Sequence, residues 1–181
     1  MSDQGNIKSG VGGLTEEQIK ALEEKLKQMS PEELKAFQKQ QCIFCQIVAG
    51  RVASKKVYED NVCIAILDIN PANPGHLLLL PKEHYPIMPL VPKEELEHMG
   101  KVAKHLSHCL LKSLKAEGVS MFIANGVAAG QRAQHFMIHL IPRKEGDGVG
   151  LEIPMRELKK EQLAEIEKRL KGKMKAMHEK K

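Results

Sequence analysis

The sequence has no run of about 18 apolar residues, so no membrane-spanning helix is expected. Its first residues are polar and rich in glycine, and they lack the apolar core of a secretory signal peptide. The four cysteines do not form the dense pattern of a disulfide-stabilised secreted protein. We therefore expect a cytoplasmic protein, in which Cys63 and Cys109 are buried free thiols because both lie in apolar runs.

The net charge of +5 is concentrated near the C-terminus. Residues 156–181 contain ten Lys or Arg side chains and five Asp or Glu side chains, so the rest of the chain is balanced. A basic segment is compatible with nucleic-acid binding, although a solvated helix face is the simpler interpretation. Nucleic acid is therefore a weakly supported partner.

The hydrophobic pattern divides the 181 residues into four segments. Residues 1–13 are expected to be disordered, 14–40 to form a helical extension, 41–155 to form the compact domain, and 156–181 to form a basic helix. Residues 15–18 and 30–33 have the spacing of capping boxes, which predicts the starts of two extension helices.

The compact domain alternates apolar strand patterns with one long helical pattern. The predicted strands are 57–58, 62–67, 76–80, 119–125 and 134–141, and the predicted long helix is 93–115. Several strands with a single long helix between them favour an α+β fold with an antiparallel sheet over a parallel βαβ array.

The most informative pattern lies in the last predicted strand. Since alternate residues of a strand point to the same face, His135, Met137 and His139 should share one face. The residues between and after them, Phe136, Ile138 and Leu140, should share the other. Two imidazoles on one strand face indicate a site, and the thioether between them limits its chemistry.

Cys42 and Cys45 form a C-x2-C pair, which can bind zinc through two thiolates or act as a redox dithiol. Redox pairs usually open a helix in a βαβ unit, and that context is absent. A zinc site needs two further ligands, and no second C-x2-C pair exists. His84 and His135 are the natural candidates, while two reduced, metal-free thiols are the simplest alternative.

Three further features are weaker signals. The glycine-containing loop from Asn125 to Gln131 can bring backbone amides close to an anion, but it matches neither the P-loop nor the dinucleotide fingerprint. Asp68 follows a predicted strand and can accept hydrogen bonds from sugar hydroxyls, although a turn-capping role is commoner. His76 opens an apolar strand, where a hydrogen-bonded core histidine is the default interpretation.

Taken together, six separated segments resemble the histidine-triad (HIT) family of nucleotide-binding proteins. They occur in the family's order and lie within about residues 41–145: 42–45, 67–71, 74–78, 81–84, 125–131 and 135–143. The resemblance implies a HIT-like fold with an antiparallel sheet of about five strands and one long helix. It also implies a homodimer that pairs this helix and a central strand, with helical segments at both ends lying outside the resemblance.

The resemblance further implies purine-nucleotide binding, and cleavage at the α-phosphate through a nucleotidyl-histidine intermediate. It implies a structural Zn²⁺, with ligands Cys42, Cys45, His84 and His135. It places Asp68 and Ile69 at the ribose. It places Asn125, Gln131 and His139 at the phosphate, and it gives His76 a supporting position beside the catalytic strand.

The sequence departs from the family at the nucleophile. The middle histidine of the family's pattern is replaced by Met137, whose thioether neither attacks phosphorus readily nor carries a proton. We therefore expect a nucleotide-binding protein with weak or absent hydrolase chemistry. The alternatives are an active hydrolase or nucleotidyl transferase that uses His139 or His76, and a nucleic-acid-associated factor.

Overall fold

The computed structural model describes residues 15–150 and 153–178, so the predicted disorder of 1–13 lies outside the described residues. The helices are α1 (Glu16–Gln28), α2 (Pro31–Gln41), α3 (Ile43–Val48), α4 (Lys93–Ser113) and α5 (Lys160–His178), and the strands are β1 (Lys56–Glu59), β2 (Cys63–Leu67), β3 (Leu77–Pro81), β4 (Gly118–Phe122) and β5 (Ile138–Arg143). None of the described helices is both long and apolar enough to cross a membrane.

The five strands form one antiparallel sheet in the order β1-β2-β3-β5-β4. This confirms the α+β class and the strand number predicted from the sequence. The register aligns Ile66 with Leu78, Leu78 with His139, and His139 with Phe122. These four residues, one from each of four strands, therefore form one row across the sheet, in which His139 lies among apolar side chains.

Each face of the sheet covers its own apolar cluster. On one face, Leu79 and Leu140 pack with Met99 and Leu106 of α4. On the other face, Ile64, Ile66 and Leu80 pack with Ile47 of α3. The long helix thus occupies one face, and only a short helix covers part of the other, which leaves room for a cavity there.

β5 begins at Ile138, later than predicted, but the alternation of side chains extends beyond it. Phe136 is 1% exposed and packs in the α4 cluster, whereas Met137 packs against the α3 cluster. The Phe136 N–H donates to the Tyr85 carbonyl at 2.6 Å, outside the β3 ladder. The predicted division of faces is therefore confirmed, although the strand itself is shorter.

The two extension helices begin at the predicted capping boxes. The Gln18 N–H donates to Thr15 Oγ1 and the Thr15 N–H donates to Gln18 Oε1. Ser30 and Glu33 exchange the same pair of bonds at the start of α2. Local hydrogen bonding alone explains these starts, which is why the sequence predicts them well.

The sequence predicts that Cys63 and Cys109 are both buried, and this prediction is correct for Cys63 and wrong for Cys109. Cys63 is fully buried, but Cys109 is exposed. The buried positions of α4 follow the stripe Met99, Ala103, Leu106 and Leu110, and Cys109 lies beside that stripe rather than on it. An apolar run in a helix is therefore not evidence of burial for each of its members.

The chain divides into two compact units between residues 147 and 148. Within the second unit, α5 is amphipathic, with Leu163, Ile166, Leu170 and Met174 on one side. Lys171 and Glu167 form an ion pair along the helix. Nucleic-acid binding by this segment stays a prediction, as does a cytoplasmic location.

Candidate functional site

A cavity of about 700 Å³ lies on the face of the sheet opposite α4. Its apolar wall includes Phe44 and Ile47 of α3, together with Ile66 and Leu78 of the central strands. A concave, mostly apolar pocket with a few convergent polar groups is the usual form of a small-ligand site. The polar residues that line this cavity are Ser54, Asp68, Asn70, His76, Gln131, Arg132, His135 and His139.

His76 and His139 form a hydrogen-bonded pair in the cavity wall. His76 Nε2 lies 3.0 Å from His139 Nδ1, and the Ala72 N–H donates to His76 Nδ1 at 3.2 Å. A backbone amide can only donate, so His76 Nδ1 carries no proton and the proton of the neutral ring lies on Nε2. His76 therefore donates to His139 Nδ1, and His139 carries its own proton on Nε2.

Both rings are neutral near pH 7. Burial lowers the pKa of His76, and the nearby Asp68 carboxylate opposes this only in part. Burial also lowers the pKa of His139, and the neighbouring His76 lowers it further. The free nitrogen of His139 is consequently a hydrogen-bond donor and has no lone pair available for attack.

Met137 lies on the same face as His139, two residues earlier, and lines the cavity. It is half-buried and packs against the α3 cluster. Its thioether has no proton to give and is only a weak acceptor. The structure therefore places an apolar side chain where the resemblance expects an imidazole.

Asp68 and Ile69, predicted to hold a ribose, lie at the end of β2 on the rim of the cavity. Asp68 Oδ1 accepts from the Asn70 N–H at 2.8 Å, which is the turn-capping bond anticipated as an alternative. Its Oδ2 lies 3.6 Å from His76 Nδ1. Ile69 is 90% exposed, so its side chain is free to contact a ligand.

Asn125 and Gln131 hold the loop between β4 and β5. Gln131 is buried; its Oε1 accepts from the Gly126 N–H, and its Nε2 donates to the Pro86 and Ala133 carbonyls. Asn125 Oδ1 accepts from the Met88 N–H, and Asn125 is not among the residues that line the cavity. Their side chains therefore fix the loop and join it to residues 86–88 before α4.

Cys42, Cys45, His84 and His135 converge beside the cavity. Their ligand atoms all lie within 4.8 Å of one another. The Cys42 Sγ–His135 Nδ1, Cys45 Sγ–His84 Nδ1 and Cys45 Sγ–His135 Nδ1 distances are 3.5, 3.3 and 3.6 Å. A tetrahedral zinc with the usual bond lengths has S···N edges of about 3.6 Å, so these four side chains have the spacing of a zinc site.

Hydrogen bonding and burial also suit a metal. His135 Nε2 lies 3.0 Å from the Pro81 carbonyl and donates to it, which turns the lone pair of Nδ1 toward the sulfurs. Burial lowers the pKa of His135 to about 4, so the ring is neutral and able to ligate. Burial, with a smaller contribution from Cys42, raises the pKa of the Cys45 thiol to about 12 in the absence of a cation. A bound cation reverses that preference.

A second set of potential ligands, Asp68, His76 and His139, also lies within 4.8 Å. This set does not suit a metal. The Ala72 N–H occupies the only nitrogen lone pair of neutral His76, and the His76 proton occupies Nδ1 of His139. Binding an ion would require both bonds to break, so the pair is better described as a polar wall of the cavity.

The sequence missed several residues that shape the cavity. Phe122 lies 5.9 Å from His139 between ring centroids, and Phe44 lies 5.9 Å from His135. Phe122 has no local motif, whereas Phe44 lies inside the C-x2-C pair, between Cys42 and Cys45, so its place near the cysteines was a signal in the sequence. Arg132 directly follows the predicted loop. Its position next to Gln131 was therefore a sequence signal that it lies near the cavity.

The family model described as "HIT domain" matches residues 49–146. A HIT-like protein of Methanocaldococcus jannaschii is 42% identical over 131 residues, covering 72% of this chain and 99% of the relative.

Two solved structures bear on the site. A histidine triad nucleotide-binding protein from Candida albicans is 29% identical, with a TM-score of 0.69 over 76% of this chain and 99% of that one. A Zn-bound histidine triad family protein from Mycobacterium smegmatis is 32% identical, with a TM-score of 0.59 over 65% of this chain and 86% of that one.

Proposed function

Because this chain belongs to the HIT domain family, we propose that it binds a purine nucleotide in the cavity and has lost the covalent nucleotidyl-histidine step. Similarity to a nucleotide-binding protein of the same fold supports the first half of this proposal. The chemistry of residues 137 and 139 supports the second.

The observation that carries the proposal is the chemistry of the three side chains that share one face, His135, Met137 and His139. The middle position holds Met137, and the neutral His139 presents a proton rather than a lone pair. His135 is fully buried and turns its lone pair toward the two cysteines. No side chain of this face therefore offers a nucleophile for phosphorus, while the donor on His139 suits a phosphate oxygen.

The expected ligand contacts follow from the walls of the cavity. The apolar slot between Phe44 and Ile66 accepts the base, and Asp68 with Ile69 holds the ribose. His139 donates to the phosphate through Nε2–H. Asn125 and Gln131 act through the loop they hold, whose Gly126 adopts φ +90° and so keeps a conformation that side-chain-bearing residues rarely adopt.

We also propose that Cys42, Cys45, His84 and His135 hold a structural Zn²⁺. The Sγ–Nδ1 distances of 3.3–3.6 Å and the Zn-bound relative support this assignment. Four protein ligands leave no open coordination position, so the ion would cross-link α3 to the segments before α4 and β5 and would supply folding energy rather than chemistry.

A homodimer through α4 and β4 is part of the same proposal. The resemblance implied pairing through a central strand, but β4 is at the edge of the subunit's sheet, so its outer backbone groups are unpaired within the sheet. Met121 of β4 is 61% exposed, and Leu114 at the end of α4 is 45% exposed. An edge strand beside exposed apolar side chains is a surface suited to two-fold pairing.

The second candidate function is a working nucleotide hydrolase that uses another group. One observation favours it: the His76–His139 pair can pass a proton along its 3.0 Å bond, and so could assist a water molecule. A hydrolase of this kind would depend on the pair and would be indifferent to Met137.

Calorimetric titration with adenosine 5′-monophosphate, combined with a turnover assay on adenosine 5′-phosphoramidate, tests the proposal. We expect saturable binding and turnover at the background rate. Asp68→Asn should weaken binding by about tenfold, since it removes a charge-assisted hydrogen bond to the ribose, and His105→Gln on the exposed side of α4 should not. Turnover that His76→Gln abolishes and Met137→Gln spares would instead establish the second function.

A further inference from the structure

Helix α5 follows the family-matched residues 49–146 and lies in the second compact unit. Residues 160–177 are all exposed. Five large apolar side chains among them are 43–62% exposed: Leu163, Ile166, Leu170, Met174 and Met177. Since each residue of a helix turns the chain by about 100°, all five lie within an arc of about 80°. They form the apolar stripe of α5, which the described residues of the chain leave uncovered.

The charges of α5 are unequally divided between the two flanks of the apolar stripe and the outward side of the helix. The flank positions, within about 100° of the centre of the stripe, hold four cations and one carboxylate: Lys160, Glu167, Arg169, Lys171 and Lys173. The outward side holds two charges of each sign: Glu161, Glu165, Lys168 and Lys175. The net positive charge of α5 therefore lies beside its apolar side chains.

The single flank carboxylate has a partner on the same helix. Glu167 forms an ion pair with Lys171, one helical turn later. The other flank cations are Lys160, Arg169 and Lys173, and within residues 15–150 and 153–178 none of them forms a salt bridge. These three cations are therefore available to an anionic partner that also covers the apolar stripe.

An anionic lipid surface fits the apolar stripe and the flank cations at once. A helix that lies in the interface buries its apolar side among acyl chains, while lysine and arginine on its flanks extend to the phosphate groups. Its outward side faces water and needs no net charge. Nucleic acid would pair with the cations but leave the apolar stripe in water. A second copy of α5 would cover the stripe but bring two positively charged helices together.

We propose that α5 binds flat on an anionic lipid surface, with its apolar stripe among the acyl chains and Lys160, Arg169 and Lys173 at the lipid phosphates. Attachment of this kind is peripheral and reversible, and it requires no membrane-spanning helix. Lipid binding by α5 is independent of the proposed nucleotide site. Because a lone helix of this length is marginal in water and α5 contains Gly172, lipid should also raise the helix content of the chain.

The test is co-sedimentation of the full chain with vesicles at an ionic strength of about 0.15 M. One vesicle preparation contains phosphatidylcholine alone, and the other contains equal parts of phosphatidylcholine and anionic phosphatidylglycerol. We expect binding to the mixed vesicles to be at least about tenfold stronger, and circular dichroism to show more helix with them. Leu170→Gln should weaken that binding at least about tenfold, because it removes the apolar side chain at the centre of the stripe. Its thermal midpoint should match that of the wild type.

Two double variants remove the same charge from different sides of α5. Lys160→Gln with Lys173→Gln takes two cations from the flanks and should weaken binding to the mixed vesicles about 25-fold, at about fivefold for each charge. Lys168→Gln with Lys175→Gln is the matched control. Its cations lie about 10 Å further from the lipid, where salt screens their attraction, so binding should stay within about threefold of wild type.

Equal losses in the two double variants, or wild-type binding by Leu170→Gln, would overturn the flat orientation on lipid. Wild-type protein that fails to bind the mixed vesicles would overturn lipid binding altogether. Self-association that Leu170→Gln abolishes in sedimentation velocity would then assign the apolar stripe to a second copy. Salt-dependent binding of a DNA duplex, weakened equally by both double variants, would instead assign the cations to nucleic acid.

Discussion

Replacing Met137 with histidine tests whether one side chain separates this protein from a covalent nucleotidyl transferase. The backbone on both sides of residue 137 is held in place, by the Phe136–Tyr85 hydrogen bond and by the pairing of His139 with Leu78. A new imidazole would therefore face the cavity, about 6–7 Å from His139 along the strand.

The stability cost of Met137→His should be modest. Met137 is half-buried, so the substitution loses part of one side chain's apolar contact with the α3 cluster and adds a ring whose nitrogens face the cavity. We expect a loss of about 1–2 kcal/mol in the free energy of unfolding, which leaves the protein folded.

The gain in transition-state stabilisation should be larger than this loss in the free energy of unfolding. A positioned imidazole supplies a lone pair at residue 137, and in the proposed binding mode the Nε2–H of His139 donates to the phosphate. We expect kcat/KM for adenosine 5′-phosphoramidate to rise at least about 100-fold, which corresponds to about 2.7 kcal/mol of transition-state stabilisation.

The assay is release of adenosine 5′-monophosphate, with mass spectrometry of acid-stable and acid-labile adducts on the variant chain. Met137→Gln is the control, since it has similar length and no nucleophile. A folded Met137→His protein that binds the monophosphate as tightly as wild type, yet stays at the background rate, would refute the idea that residue 137 is the only defect.

Three other outcomes follow from the structure. Metal analysis should find about one zinc per chain, and Cys45→Ser should abolish binding of the metal and lower the thermal midpoint, whereas Cys109→Ser on the exposed side of α4 should change neither. Gly75→Ala should lower the free energy of unfolding by about 1–3 kcal/mol in urea titrations, because Gly75 has φ +91° and a Cβ there would clash with Leu114 Cδ1. Gly100→Ala, in an open helical position, should raise the free energy of unfolding by about 0.5–1 kcal/mol. Burial lowers the pKa of His76 in the folded chain, so the unfolded chain binds more protons at this residue as the pH falls. The free energy of unfolding should therefore decrease as the pH drops below about 6.5. His76→Gln should flatten that decline, and a decline unchanged in this variant would contradict the assignment.

Much of the fold could be predicted from local patterns. Capping boxes located α1 and α2, and the apolar stripe located α4, because each depends on residues three or four positions apart. Strand ends were less accurate: β5 begins at Ile138 rather than near residue 134. Its start depends on when β3 stops pairing with it, and no local signal reports that.

The site shows the same division. The ligand count of the C-x2-C pair and the family resemblance both predicted one site of Cys42, Cys45, His84 and His135, and their ligand atoms lie within 4.8 Å of one another. The sequence could not show that the side-chain amides of Asn125 and Gln131 bond to backbone groups, including those of Met88 and Pro86 outside the loop. Hydrogen-bond partners such as the Met88 N–H lie far away in sequence and are set by packing.

The amino-acid sequence alone determined that His135, Met137 and His139 alternate along one face, with a thioether between the two imidazoles. Alternation is a property of an extended chain and needs no knowledge of what lies around it. Tertiary structure decided which nitrogen of His139 carries a proton, because that depends on a bond to His76 and on the Ala72 amide beyond it. The protonated nitrogen of His139 is set by neighbours from distant segments. Only the tertiary structure could therefore show whether its free nitrogen has a lone pair for attack on phosphorus or a proton to donate in a hydrogen bond.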